Sequence, residues 1–332
     1  MPDPLFELIR RADTGERLAA CVLAKTTGST PQKAGALMLV LLSGQTIGTI
    51  GGGCVEAEVR SKALRMLSAP CGQSRDNDVL LRFPLDRDYG WDDGLVCGGV
   101  MFVAVQLIDS VTKAQPWRQA SQALASGQAG RVVLTLTDDQ SQPTDMEFVR
   151  QPTPQLIIAG AGHIGEALAK IAQPMGFAVT VVDDRADAAS ADRFPEATRV
   201  IGPIDRELSQ MTFNELSYVV IVTRGHRHDG DALAAVVGSD AKYVGLIGSR
   251  RKTLSIFKRL LDEGVSEALL RRVRAPIGLR IGAISPTEIA ISIAAELTAC
   301  RRGVILDVSS VMQLEAGHLN RLIDRRNRDD KQ

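Results

Sequence analysis

Three groups of residues in this chain have the types and spacing to do chemistry. The first is Gly51-Gly52-Gly53-Cys54, set between an apolar run and an amphipathic stretch. Bare backbone N–H groups and a thiol therefore meet where a helix begins. Such amides favour an anion, most simply a phosphate, and a thiol beside a helix start gains thiolate character. That makes Cys54 a candidate nucleophile, persulfide carrier or soft-metal ligand. Cys97, joined to Gly98-Gly99, repeats the pairing of thiol and glycine. Free cysteine is also a common small apolar filler, and Cys21, Cys71 and Cys300 are read that way.

The second group is Gly160-Ala161-Gly162-His163-Ile164-Gly165, which follows one apolar run and precedes another ending at Asp183-Asp184. Gly160 permits the tight turn, Gly162 lets backbone approach a pyrophosphate, and Gly165 lets helix and strand pack closely. The motif opens a helix whose unpaired amides face that group, His163 is a candidate cofactor contact within it, and Asp183 is placed to hold a ribose. Arg185 beside it blurs the preference for a 2′-hydroxyl over a 2′-phosphate. A dinucleotide such as NAD(P), or another nucleotide, is the expected occupant; an emptied crevice on the same scaffold is the alternative.

The third group follows two later apolar runs: Thr223-Arg224-Gly225-His226 with Asp229, and Gly248-Ser249-Arg250-Arg251-Lys252. His226 and Asp229 are a candidate acid/base pair, and Arg250 to Lys252 a candidate anion site at a helix start. The plainer readings are a loop-stabilising contact and a solvated helix face.

Positioning these groups requires regular elements. Apolar spacing predicts a helix over 6–11, strands over 18–25, 36–42 and 46–50, and a hairpin turn at Ser43-Gly44-Gln45. Val55, Val59, Ala63, Met66 and Leu67 recur at helical spacing up to Pro70. A strand over 100–108, a helix from Pro116 to 125, a strand over 131–137 and a last one near 146–149 close this half. The polar stretch 138–154 places a domain boundary near Arg150, giving units 1–150 and 151–332. Beyond it, strands at 155–159, 178–182, 199–201, 218–223 and 243–247 alternate with helices near 166–175, 206–211, 231–237, 252–263 and 286–302. The fold class is α/β: an N-terminal α/β domain with a hairpin, then a Rossmann-like parallel sheet.

Composition narrows the function. Among 332 residues, Lys+Arg and Asp+Glu both number 39, which excludes the basic excess of a sequence-independent nucleic-acid binder. With 45% hydrophobic residues the chain is not generally disordered. No apolar run approaches the roughly 18 residues of a membrane span, and the start lacks a signal-peptide block. Five cysteines without a Cys-x-x-Cys pair argue against disulfides and structural zinc, and fit a cytoplasmic protein.

Several stretches together resemble one family. They are Thr27-Gly28-Ser29-Thr30-Pro31, Gly48 to Glu56, Cys97-Gly98-Gly99, Gly160 to Gly165, Val181 to Arg185, Thr223 to His226 with Asp229, Gly245 to Arg251, and Ala275-Pro276-Ile277-Gly278-Leu279. In this order they are similar to the xanthine dehydrogenase accessory (maturation) factors of the XdhC/CoxI family, over nearly the whole chain. Arg280 departs from the pattern, where such proteins commonly carry an acid. The resemblance implies a cofactor-handling accessory factor rather than a turnover enzyme. It would bind molybdenum cofactor (molybdopterin), protect it during sulfuration and help insert it into an apo xanthine dehydrogenase-type enzyme. On that implication Gly51, Gly52 and Gly53 meet the phosphate or pterin, Cys54 faces molybdenum, and Cys97 and Gly98 lie nearby. A sulfur-donating enzyme as second partner, and a homodimer, follow the same resemblance. Two alternatives stand: an NAD(P)-dependent oxidoreductase and a nucleotide-sensing regulatory protein.

Overall fold

Asp3 accepts the N–H of Leu5 and so starts the first helix, α1 (Pro4–Asp13), with proline at the position where a missing N–H does no harm. The computed structural model describes residues 3–69, 78–85, 98–138 and 142–306. The chain divides into two units, Met1–Pro152 and Thr153–Gln332. After α1 the first unit continues β1 (Leu18–Thr27), β2 (Leu37–Leu41), β3 (Thr46–Gly48), α2 (Gly53–Ser68), β4 (Val79–Pro84), β5 (Val100–Ile108), α3 (Val111–Ala125), β6 (Gly130–Thr137) and β7 (Pro143–Arg150).

Among the described residues its seven strands are ordered β3-β2-β1-β5-β4-β6-β7, antiparallel throughout except for β4 beside β6. β1 is an interior strand whose first six residues are buried on both faces, as their continuous apolar sequence requires. Leu18, Ala20 and Val22 join the core under α1 and α3, while Ala19, Cys21 and Leu23 join Val55, Val59, Ala63 and Met66 of α2 on the other face. The pairing register brings three chain ends to one edge. Thr27 at the end of β1 lies opposite Val100 at the start of β5, and Gly48 at the end of β3 lies opposite Met38 near the start of β2.

The second unit comprises β8 (Gln155–Ala159), α4 (His163–Ala172), β9 (Ala178–Asp183), β10 (Thr198–Ile201), α5 (Ile204–Gln210), β11 (Ser217–Ile221), α6 (His226–Val236), β12 (Tyr243–Leu246), α7 (Arg250–Asp262), α8 (Glu267–Arg272) and α9 (Pro286–Arg301). Among the described residues all its strand pairs are parallel, in the order β10-β9-β8-β11-β12. The order reverses between β8 and β11, and a crevice opens at the carboxyl ends there. Leu156, Ile158, Val181 and Tyr218 pack with Leu168 of α4 and Ile293 and Leu297 of α9; Ile157, Val219 and Leu246 pack with Leu233 of α6 and Phe257 of α7. A Rossmann-like sheet covered on both faces results.

Local differences from the sequence reading have local causes. α3 begins at Val111, five residues before the expected start, because Ser110 accepts from Lys113 N–H and caps it; Pro116 lies inside the helix. β4 and α8 are not expected from the sequence, since Arg82 breaks the apolar run of the one and the other spans only six residues. The hairpin forms as expected, with Val40 opposite Thr46.

Candidate functional site

In the first unit, three loops meet at the edge where β1 and β3 end and β5 begins. Ser29 makes an isolated parallel bridge to Gly98, and a Cβ on Gly28 would stand 3.0 Å from Gly99 Cα, so these two strands of backbone run in direct contact. A Cβ on Gly51 would meet Gln32 Cβ at 3.1 Å and Pro31 Cγ at 3.3 Å, which places the glycine run against the same Thr27–Pro31 loop. Gly51, Gly52 and Gly53 have φ of 127°, 77° and 69°, a succession that L side chains rarely adopt. Above Gly52 and Gly53 no described atom comes within 4 Å of an added Cβ. Cys54 follows, half-buried, in the first turn of α2.

The inner side of this loop is already occupied by the chain itself. Glu56 Oε1 accepts from the Thr49 hydroxyl and, at 2.9 Å each, from the N–H groups of Ile50 and Gly52. Gly51 N–H donates to Thr49 Oγ1 at 3.1 Å. Burial pushes the Glu56 carboxyl up, but the donors from Thr49 and the Gly52, Ile50 and Gly51 amides outweigh it and hold the group below the ordinary glutamate value.

In the second unit, Gly160 (φ 118°) turns the chain beneath β11, where a Cβ would stand 2.6 Å from the Val222 carbonyl oxygen. A Cβ on Gly165 would collide with the Gly160 carbonyl oxygen, so α4 packs on the loop at glycine-only distance. Gly162 caps α4 with open space around it, and His163 is exposed at the first helical position. Asp183 is buried; its Oδ2 accepts Ala161 N–H at 2.7 Å, and Arg185 engages both oxygens through Nε at 2.9 Å and Nη2 at 3.0 Å. Burial raises the Asp183 carboxyl, and the Ala161 and Arg185 donors together bring it below the usual aspartate value.

A cavity of about 300 Å³ lies over these strand ends, lined by Asp183, Asp184, Arg185, Asp205, Arg224 and His228 among others. Beside Gly160, Thr223 Oγ1 donates to Asp229 Oδ1 at 2.6 Å, and Lys252 forms an ion pair with the other oxygen of this fully buried carboxylate.

Residues 156–297 match the family model described as the XdhC Rossmann domain, and residues 12–83 match the XdhC and CoxI family model. The chain belongs to the XdhC and CoxI family. Among its relatives is a probable xanthine dehydrogenase subunit of Bacillus subtilis, 28% identical in an alignment of 324 positions that covers 87% of this chain and 94% of that one. Escherichia coli YqeB is 28% identical over 281 residues; this chain spans 42% of that longer protein. The Escherichia coli molybdenum cofactor insertion chaperone PaoD is 24% identical in an alignment of 302 positions that covers 87% of this chain and 85% of PaoD. A Bacillus halodurans crystal structure, described as a xanthine dehydrogenase, shares the fold with a TM-score of 0.74 at 23% identity, covering 91% of this chain and 96% of that one.

The XdhC-type motifs thus fall into two groups. Gly51, Gly52, Gly53, Cys54 and Gly98 come together with Thr27–Pro31, whereas Cys97 lies outside the described residues. Gly160, Gly162, Gly165 and Asp183 form the second group, with Arg250 exposed at the start of α7. Two expectations change. Asp183 ties the glycine turn to β9 and Arg185, so its oxygens are engaged rather than turned to a ribose. Asp229 is engaged by Thr223 and Lys252, which takes Lys252 out of the anion cluster; the expected pair with His226 is not placed, because the His226 side chain lies outside the described atoms. Cys21 is a buried filler whose thiol burial pushes up, Cys300 is half-buried with a thiol likewise raised by burial, and Cys71 lies outside the described residues. Glu56 enters the sequence reading only as part of a motif; its signal is an acid in the first turn of a helix whose cap has no side chain.

No group of three or more His, Cys, Asp or Glu that could hold a metal ion occurs among the described residues. Nor is any described helix long and apolar enough to cross a membrane.

Proposed function

We propose that this chain is an accessory factor that carries molybdenum cofactor as cargo and helps deliver it to an apo xanthine dehydrogenase-type enzyme. The observation that carries the reading is the convergence of three motif loops around Cys54 at one edge of the first sheet. Its likeness to PaoD, named as a molybdenum cofactor insertion chaperone, supports the same cargo, and its likeness to a probable component of xanthine dehydrogenase supports the class of recipient.

The donor set fits one end of that cargo. Molybdopterin brings two sulfur ligands of its own, so a single soft thiol at Cys54 suffices to complete a hold on the metal, and no multi-residue protein cage is needed. Open backbone at Gly52 and Gly53 would accept the flat pterin at close range. The inner amides do not fit the phosphate end, because Glu56 already accepts from Ile50 and Gly52. Gly51 to Gly53 are therefore assigned to the pterin and metal side. A sulfur-donating enzyme would act on the cargo while it is held, and the expected compartment is the cytoplasm.

The test is purification of the full chain from cells that make the cofactor, with bound pterin read by fluorescence and molybdenum by metal analysis. Stoichiometric pterin is expected from the parent chain and at least about a tenfold loss from Cys54→Ala, a change of about 1.4 kcal/mol in holding the cargo. Full retention of pterin and molybdenum by Cys54→Ala would remove the thiol from the site.

The cavity over β9 and β11 supports a second ligand, a nucleotide in the Rossmann crevice. With Asp183 engaged, Asp184 and Asp205 are the lining carboxylates left for a ribose. Calorimetry with NAD, NADP and adenosine nucleotides checks this, and turnover of NAD(P)H with a substrate by pterin-free protein would favour an oxidoreductase instead.

A further inference from the structure

The glycine loop of the first unit is closed by a carboxylate from its own helix, and the manner of closure differs from an ordinary helix cap. α9 of the same chain has the ordinary form: Ser285 accepts from Glu288 N–H, while Glu288 accepts from Ile284 and Ser285 N–H at 2.9 and 2.8 Å. α2 has no side-chain cap at Gly52, and its acid reaches much further. Glu56 gathers Gly52, Ile50 and, seven residues back, Thr49, whose hydroxyl also receives Gly51 N–H. What it fixes is the whole turn out of β3. Three successive glycines have the largest conformational freedom to lose and no side chain of their own to hold them. Cys54 lies between the two ends of this tie, one residue past Gly53 and two before Glu56.

We propose that Glu56 is the positioning residue of the Cys54 site: its carboxylate fixes the Thr49–Gly52 turn so that Gly52, Gly53 and Cys54 present one defined face, and it closes the inner amides of the loop to external anions. The link to cargo rests on the accessory-factor reading above; the tie itself does not. Recognition at this loop then runs through backbone shape and the thiol, and the phosphate of a pterin must find its donors elsewhere.

The experiment compares the full parent chain with Glu56→Ala and Glu56→Gln. Without cargo, amide hydrogen exchange is followed at Ile50 and Gly52, with Val22 of β1 as the internal reference, and alkylation of Cys54 by iodoacetamide is followed on its peptide by mass spectrometry. Glu56→Ala is expected to speed exchange at both amides at least about tenfold while leaving Val22 unchanged, and to shift the alkylation rate. Glu56→Gln, whose amide oxygen still accepts, should stay within about threefold of the parent. Pterin retention should follow the same order, lost with Ala and rescued by Gln. Parent-like exchange in Glu56→Ala, or a Gln variant as loose as Ala, overturns the positioning role; slowing of Cys54 alkylation in the parent by inorganic phosphate overturns the closure. If the parent holds no pterin, the cargo reading fails while exchange and alkylation still decide the tie. Should Glu56→Ala not fold, Glu56→Asp, one methylene too short to reach Thr49, takes its place under the same criteria.

Discussion

Glu56, Asp183 and Asp229 each take up donors that the sequence alone leaves open to a ligand. Glycine amides, a thiol and a basic run are visible as residue types, but a carboxylate that folds back on them is visible only when the chain has folded. Ala161 and Asp183 are 22 positions apart, and Lys252 reaches Asp229 from the next helix. Motifs thus mark both sites as places, and leave unread which of their atoms remain available. The Glu56 tie also sets a pH response. Its folded-state carboxyl lies below the ordinary value of 4.5, so the order it gives the loop is complete above that value and is lost as pH falls through the lower, folded-state value. Exchange protection at Ile50 and Gly52, taken relative to intrinsic rates, should therefore hold at about pH 5 and decline only below the ordinary glutamate range. In Glu56→Gln the decline should be absent; an unchanged acid profile in that variant would assign the response to another group.

Among elements, strands are the most legible, since apolar runs bounded by glycine or polar turns give β1, β5, β8 and β12 within a few residues. Helix starts are less so, because Ser, Pro and Gly all signal them and only the folded backbone shows which one accepts a hydrogen bond; Ser110, not Pro116, starts α3. The glycine fingerprint separates into two roles at the start of α4. Gly165 is a packing residue, since a Cβ there would collide with the Gly160 carbonyl oxygen. Gly162, at φ −73° with no described atom within 4 Å of an added Cβ, has no packing need for glycine. Gly165→Ala should therefore cost about 1–3 kcal/mol of stability through displacement of α4 from β8. Gly162→Ala should unfold within roughly 0.5 kcal/mol of the parent. If a nucleotide occupies the crevice, Gly162→Ala should nevertheless weaken it, as the added methyl stands where a pyrophosphate approaches. Thermal unfolding beside nucleotide titration checks both, and equal stability losses in the two variants would contradict the division of roles.

At the scale of the whole chain, each unit contains its own two-sided core. The clusters on either face of the first sheet draw only on residues 5–148, and those on the second only on residues 156–300. A sheet covered on both faces by its own helices does not need the other unit to bury its apolar surface. The two candidate sites divide the same way, with Cys54 and Glu56 in the first unit and the Rossmann crevice in the second. Expressed separately, residues 1–152 and 153–332 should each unfold cooperatively, and the accessory-factor reading assigns the cargo to one of them. Pterin should be retained on 1–152 and be absent from 153–332, while any nucleotide affinity should stay with 153–332. Loss of pterin from a cooperatively folded 1–152 would overturn the assignment of the cargo to the Cys54 edge.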